Sequence, residues 1–175
     1  MKIGIISDTH DKIENLKKAF EIFEKEGVSE IIHCGDLTSP FVIKELEKFF
    51  GKVHLVFGNI EDRYTTTLLA LKSENVNLHG DYAELTLDNK KISFTHFPFF
   101  AENLALSGKY DAVFYGHTHE KKQEIKGKTL LVNPGELAGI KNNPSLAIYD
   151  TKKNEIKHVE LKWTQKKKLK FILKE

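Results

Sequence analysis

Side chains able to hold a metal or move a proton recur just after short apolar runs. Ile3-Gly4-Ile5-Ile6-Ser7 leads into Asp8-Thr9-His10, and Ile31-Ile32-His33-Cys34-Gly35 into Asp36. Val53-His54-Leu55-Val56-Phe57 leads into Gly58-Asn59, Ile92-Ser93-Phe94 into Thr95-His96, and Ala112-Val113-Phe114-Tyr115 into Gly116-His117-Thr118-His119. Such runs read as buried strands, and open α/β sheets bind ligands at the carboxyl ends of their strands. Asp8, His10, Asp36, Asn59, His96, His117 and His119 are thus the candidate metal ligands. Seven N/O donors exceed the needs of one catalytic ion and suit two divalent ions that share a carboxylate. The chemistry expected of such a pair is hydrolysis, because bound metals make water nucleophilic near neutral pH. Each residue alone has a plainer reading: a helix cap for Asp8, a turn residue for Asp36, satisfied core groups for the histidines. Five coincident strand ends carry the argument.

Asp8-x-His10 and His117-x-His119 each set two ligands two residues apart. In extended chain residues i and i+2 point the same way, so each pair is expected to converge from one strand end. Gly35, Gly58 and Gly116 each precede a ligand, where a sharp turn or close backbone approach is needed. Oxygen and imidazole donors without thiolate suit Mn, Fe, Co, Ni or Zn in a catalytic rather than a structural site.

The elements that must position these residues alternate strand and helix in the first half. Asp11 with Glu14 reads as a capping box ahead of Ile13, Leu16, Phe20 and Phe23, with Gly27 as the stop. Ser39-Pro40 reads as the start of a helix burying Val42, Ile43, Leu46, Phe49 and Phe50 before Gly51. A third strand is expected over 53–57 and a weaker helix over 66–73. The second half turns β-rich: a hairpin about Asp88-Asn89, a helix over 99–106, then strands near 112–115, 120–125, 129–132, 146–150 and 155–161. The pattern predicts two packed sheets with helices outside, in one domain over residues 1–161, followed by a Lys-rich tail over 162–175.

Composition excludes several classes. The longest apolar stretch is far below the roughly 18 residues of a membrane span, and the N-terminus shows no secretory apolar region. A single cysteine excludes an internal disulfide framework and points to a reducing cytoplasm. The net charge of +2 conceals a tail with six lysines and one acid; without it, 21 basic and 24 acidic residues leave the body near −3. No basic patch with interleaved aromatics marks the body, so nucleic acid is not the expected partner.

The series Asp8-x-His10, Gly35-Asp36, Gly58-Asn59, Thr95-His96 and Gly116-His117-Thr118-His119 resembles the calcineurin-like metallophosphoesterase superfamily, and within it the small archaeal and bacterial phosphodiesterases related to the retromer subunit Vps29. The resemblance implies an α/β fold, a four-layer α-β-β-α sandwich of two mixed sheets flanked by helices. It implies that Asp8, His10, Asp36 and His119 hold one metal, that Asp36 bridges, and that Asn59, His96 and His117 complete the second. Asp36, Asn59 and His96 would be the catalytic positions. The implied activity is metal-dependent hydrolysis of small phosphodiesters by a hydroxide bridging two divalent transition metals, with Mn²⁺ ahead of Ni²⁺, Fe²⁺, Co²⁺ or Zn²⁺. The alternatives are a Vps29-like binding scaffold and a phosphomonoesterase or nuclease. Retention of all seven ligands disfavours the scaffold. The partners implied are a small phosphodiester and, at most, a second copy in a homodimer, with no membrane.

The chain also departs from the family's pattern. Ile60 follows Asn59 where a histidine, a candidate general acid, is common, which leaves Glu61 and Asp62 as the nearby acids. Phe97-Pro98 replaces the usual glycine after His96, so a bulkier pocket wall is expected there. Asn133-Pro134-Gly135 corresponds to a family loop often followed by serine, here by Glu136; a plain turn and a place at the site's edge both fit. His33 and His54 read as hydrogen-bonded core residues, His79 and His158 as surface residues, and Cys34 as a small buried hydrophobe. Trp163, Phe171 and Ile172 among the tail lysines read as a solvated or partner-docked terminus ahead of a contact with nucleic acid or an anionic surface.

Overall fold

A computed structural model describes residues 1–161; the Lys-rich stretch 162–175 lies outside the described residues. Eleven strands and four helices run β1 (Lys2–Ile6), α1 (Ile13–Glu26), β2 (Glu30–His33), α2 (Val42–Leu46), β3 (Lys52–Leu55), α3 (Arg63–Ala70), β4 (Val76–Leu78), β5 (Tyr82–Leu87), β6 (Lys90–Thr95), α4 (Pro98–Leu106), β7 (Ala112–Phe114), β8 (Lys121–Lys126), β9 (Thr129–Pro134), β10 (Ser145–Asp150) and β11 (Glu155–Glu160). One sheet has the order β11-β10-β1-β2-β3-β4, the other β5-β6-β7-β9-β8. Both are mixed: β1 to β4 run parallel, as do β6, β7 and β9, while β10, β11, β5 and β8 are antiparallel to their neighbours.

Three apolar layers hold this arrangement. Ile6, Ile31, Leu146 and Ile148 face α1 and α2 with Leu16, Phe23 and Leu46, whereas Ile3, Ile5, Ile32, Ala147 and Tyr149 face the second sheet. Neighbouring residues thus point to opposite buried faces, which is why these strands read as continuous rather than alternating apolar runs. Beyond the second sheet, α4 packs Ala101 and Ala105 over Val113 and Leu131. The result is the four-layer sandwich. Gly4 is a packing requirement, since a Cβ there would come within 2.8 Å of the Phe23 ring.

Several local expectations are corrected. Lys12, not Asp11, caps α1, and without a side-chain bond; the Asp11 carboxylate instead accepts the Ser39 N–H at 2.9 Å. The segment after β1 is committed to another task. Asp8, His10 and Asp11 donate backbone N–H groups to the carbonyls of Gly35, Asp36 and Leu37, joining the first two ligand loops edge to edge. Gly27 does stop α1, at φ 70. The second helix is only five residues long and leaves Phe50 exposed. The third begins at Arg63 because Asp62 caps it through the Thr65 N–H, three residues before the sequence suggests. Strand β4 is too short to stand out by periodicity. The hairpin forms as expected, with Asp88 and Asn89 left-handed at φ 49 and 62.

Candidate metal centre

All seven predicted residues lie at carboxyl ends of parallel strands, β1, β2 and β3 in one sheet and β6 and β7 in the other. Backbone bonds lock these ends together: the Leu137 and Ala138 N–H groups reach Ser7 O and Asp8 O, and Gly116 N–H reaches His96 O. Strand alternation is not what makes each pair converge. Asp8, His10, Asp36, His117 and His119 all sit at positive φ, between 40 and 71. The pairs turn inward on left-handed residues, a conformation uncommon outside glycine that costs about 1–3 kcal/mol each and concentrates at functional sites. At Gly58 and Gly116 the fit leaves no room for a side chain, since a Cβ would collide with Asp36 Oδ1 and with Ser7 Oγ respectively.

Two clusters result. Ligand atoms of Asp8, His10 and His119 lie within 4.8 Å of one another, as do those of Asp8, Asp36 and His96. His119 Nε2 is 3.2 Å from Asp8 Oδ1 and 3.4 Å from His10 Nε2. Asp36 stands between the clusters, with Oδ2 3.8 Å from His10 Nε2 and Oδ1 3.5 Å from His96 Nε2. Asn59 Oδ1 is 3.0 Å from both His96 Nε2 and His117 Nδ1.

Hydrogen bonding outside the cluster decides what these atoms can accept. His119 donates Nδ1–H to Glu136 Oε2 at 2.9 Å, and His96 donates Nδ1–H to the Cys34 carbonyl at 2.8 Å. With Nδ1 so engaged, each ring turns its Nε2 inward, towards carboxylate or amide oxygens that are also acceptors. Asp8 Oδ1 is fully buried and makes no aligned hydrogen bond. Converging lone pairs need a cation among them, and an N/O donor set of this kind fits divalent transition metals. Burial opposes the charge on Asp8, but contacts led by His119 more than offset it and hold the carboxyl below its usual range. Asp8 in turn raises the His119 pKa, so a proton and a metal compete for the same nitrogen. Burial, followed by the neighbouring His96, lowers His117.

Sequence reasoning names Glu61 and Glu136 but misses the structural work that both carboxylates do. Glu136 is fully buried and accepts from His119 and from the backbone N–H groups of Ile140, Lys141 and Asn142. A buried carboxylate behind a ligand histidine fixes its ring and raises its basicity; the only sequence signal was an acid directly after Asn-Pro-Gly. That loop also clamps the ligand turn, since Asn133 donates to Gly116 O and Thr118 Oγ1. Glu61 accepts N–H groups from Asp36, Leu37 and Gly58, tying the second and third ligand loops together. With Glu61 so occupied and Asp62 capping α3, neither acid is free to protonate a leaving group, and Ile60 beside them is 41% exposed.

The remaining histidines fall outside the centre. His33 is fully buried, accepts the Gly35 N–H and contacts Thr9 Oγ1 at 2.6 Å. His54 lies between Glu30 and His79. His79 and His158 are half-buried rather than on the surface, the first stacked on His54, the second bonded to Asn133 O. Cys34 is a buried free thiol whose pKa burial raises well above its usual value.

Residues 1–154 match the calcineurin-like phosphoesterase superfamily domain. The chain is 41% identical to phosphodiesterase MJ0936 of Methanocaldococcus jannaschii over 165 residues, 92% of this chain and 99% of that protein. It is 24% identical to phosphodiesterase YfcE of Escherichia coli over 152 residues, 79% of this chain and 80% of the relative. The solved structure of an archaeal phosphodiesterase superposes with a TM-score of 0.84 at 40% identity, covering 92% of this chain and all of the other. Vps29 of Chaetomium thermophilum shares the fold, with a TM-score of 0.67 at 17% identity over 86% of this chain and 80% of that one.

Proposed function

The chain belongs to the calcineurin-like phosphoesterase superfamily and is a hydrolytic phosphoesterase, and from that premise we propose that it cleaves small phosphodiesters at a dinuclear centre. The observation that carries the proposal is the convergence of seven N/O side chains, among which His96 and His119 are held by outward hydrogen bonds that turn Nε2 towards other acceptors. Asp8, His10, Asp36 and His119 would hold one ion, and Asp36, Asn59, His96 and His117 the other. When bound, two divalent metals supply Lewis-acid charge to the phosphoryl oxygens and a water acidic enough, with a pKa of about 7, to serve as hydroxide at neutral pH.

The chain's own residues do the rest. Asp36 lies between the two groups and is held there by Glu61 through its backbone and by the Asn59 N–H through Oδ1. Asn59 can present its carbonyl inward while its NH₂ donates to a phosphoryl oxygen. Glu136 holds His119 in the tautomer that presents Nε2. Nothing beside Asn59 offers a proton to a departing alkoxide, so good leaving groups are the preferred substrates. A body near −3 disfavours nucleic acid, Mn²⁺ is the proposed activator, and the free Cys34 thiol fits a reducing cytoplasm. Among the described residues no helix is long and apolar enough to cross a membrane.

A panel of metals against phosphomonoesters, aryl diesters and oligonucleotides, run on metal-stripped protein, tests this reading. Turnover of aryl diesters that returns with Mn²⁺ supports it. Turnover confined to monoesters or oligonucleotides, or none with any metal, contradicts it.

A further inference from the structure

Phe97, which follows His96 directly, stands on a boundary. The Phe97 ring lies 5.1 Å from the His96 ring and 5.3 Å from the His117 ring, measured between centroids. Phe97 also lines a cavity of about 550 Å³ between α4 and the edge formed by β5 and β6. That volume falls within the range of small-molecule sites, roughly 300–1,000 Å³. Phe100, Leu104, Tyr82 and Tyr110 supply apolar and aromatic surface around it. Its charged groups are largely satisfied: Asp81 pairs with Arg63, and Glu84 accepts the Tyr110 hydroxyl at 2.6 Å.

We propose that this cavity is the subsite for one ester arm of the substrate, and that the arm it takes is an uncharged aromatic ring system. The inference deepens the phosphodiesterase reading and rests on it. The phosphoryl group would sit at the ligand cluster, with the ring passing over Phe97 into the cavity. Adjacency follows from Phe97 belonging to both walls. Ring chemistry follows from the aromatic lining, because offset and edge-on ring contacts add to apolar burial. An uncharged arm follows because a second phosphate would meet the carboxylates of Asp81 and Glu84; among the described residues lining the cavity Lys109 is the one cation, and the nearby Arg63 is engaged by Asp81.

The test uses the Mn²⁺-loaded full chain and two inhibitors sharing a phosphonate, methylphosphonate and 1-naphthylphosphonate, against hydrolysis of an aryl diester. The naphthyl compound should inhibit the wild type at least about tenfold more tightly, a difference of about 1.4 kcal/mol. Asn103→Trp, at an exposed helical position on the cavity wall, should shrink that preference towards unity; Leu104→Trp fills the cavity from the next position and serves if the first variant is unstable. Equal inhibition of the wild type by both compounds, or a preference unchanged in a folded variant, would overturn the subsite. Failure of both phosphonates to bind, together with no metal-dependent turnover, would instead overturn the phosphodiesterase reading and the subsite with it.

Discussion

The two halves of the ligand cluster are built to different specifications. Around Asp8, His10 and His119 the chain is closed: Asp8 is fully buried, His119 is 8% exposed, and Glu136 stands behind the imidazole without solvent contact. Around Asn59, His96 and His117 it is open. Only His96 is buried there; Asn59 and His117 are exposed, with Phe97 and Ile60 beside them and no counterpart of Glu136 behind either histidine, since His96 Nδ1 is held by the Cys34 carbonyl. The closed half is preorganised by hydrogen bonds that the protein completes itself. The open half leaves space and donor capacity for a substrate. On the proposed reading, rigidity where a metal is held and access where the ester enters are separate requirements, met on opposite sides of Asp36.

Removing the residue common to both halves should have the largest effect. Asp36→Asn weakens the shared anionic ligand, so turnover should fall by more than the roughly 10–100-fold typical of losing an outer partner. Near-wild-type turnover with correct folding would separate Asp36 from the reaction. Glu136→Gln should strike the closed half alone, because a Gln NH₂ cannot accept the hydrogen bonds that the carboxylate now receives. Metal affinity at that half should drop roughly 10–100-fold while the other ion stays bound, seen as two separated steps in a metal titration. A single unshifted titration would show that Glu136 only braces its loop.

A smaller and selective change is expected in the open half. Ile60→His should speed hydrolysis of poor leaving groups by on the order of tenfold, within the reach of general acid catalysis, and leave nitrophenyl esters little changed. A uniform change across leaving groups would mean that the new ring does not act as an acid.

The last effect is on stability and tests the scaffold beneath the closed half. Burial, ahead of all other influences, lowers the His33 pKa to about 3, while the unfolded chain titrates near 6.5. The unfolded state therefore binds the extra proton between these values. Stability should be complete above about pH 6.5 and be lost progressively towards pH 3, by on the order of a few kcal/mol. Denaturant titrations at pH 7.5 and 4.5 should show this loss in the wild type and a smaller one in His33→Gln. Equal losses would place the acid sensitivity elsewhere.

What could be read from the sequence divides along the same line. That the seven proposed ligands would gather in one place was legible because each follows an apolar run, and strand ends in this architecture meet at one edge. How they converge was not, because left-handed φ values at Asp8, His10, Asp36, His117 and His119 leave no mark in side-chain spacing. The Asp11 cap failed for a tertiary reason, the joining of two loops whose bonded residues lie 26 to 28 positions apart. Glu61 and Glu136 were visible as acids, but their partners are backbone N–H groups from other segments, and residue identity carries no trace of those. Half-burial of His79 and His158 likewise comes from neighbouring strands. Local chemistry was written in the sequence, whereas the supporting contacts arise only when distant loops meet.

The central claim is that these seven side chains hold two ions on either side of Asp36. Elemental analysis of folded protein, stripped of metal, reconstituted with Mn²⁺ and freed of excess, tests it most directly. Two equivalents per chain are predicted, falling towards one in Glu136→Gln. One equivalent or none in the wild type, with folding intact, would contradict the account.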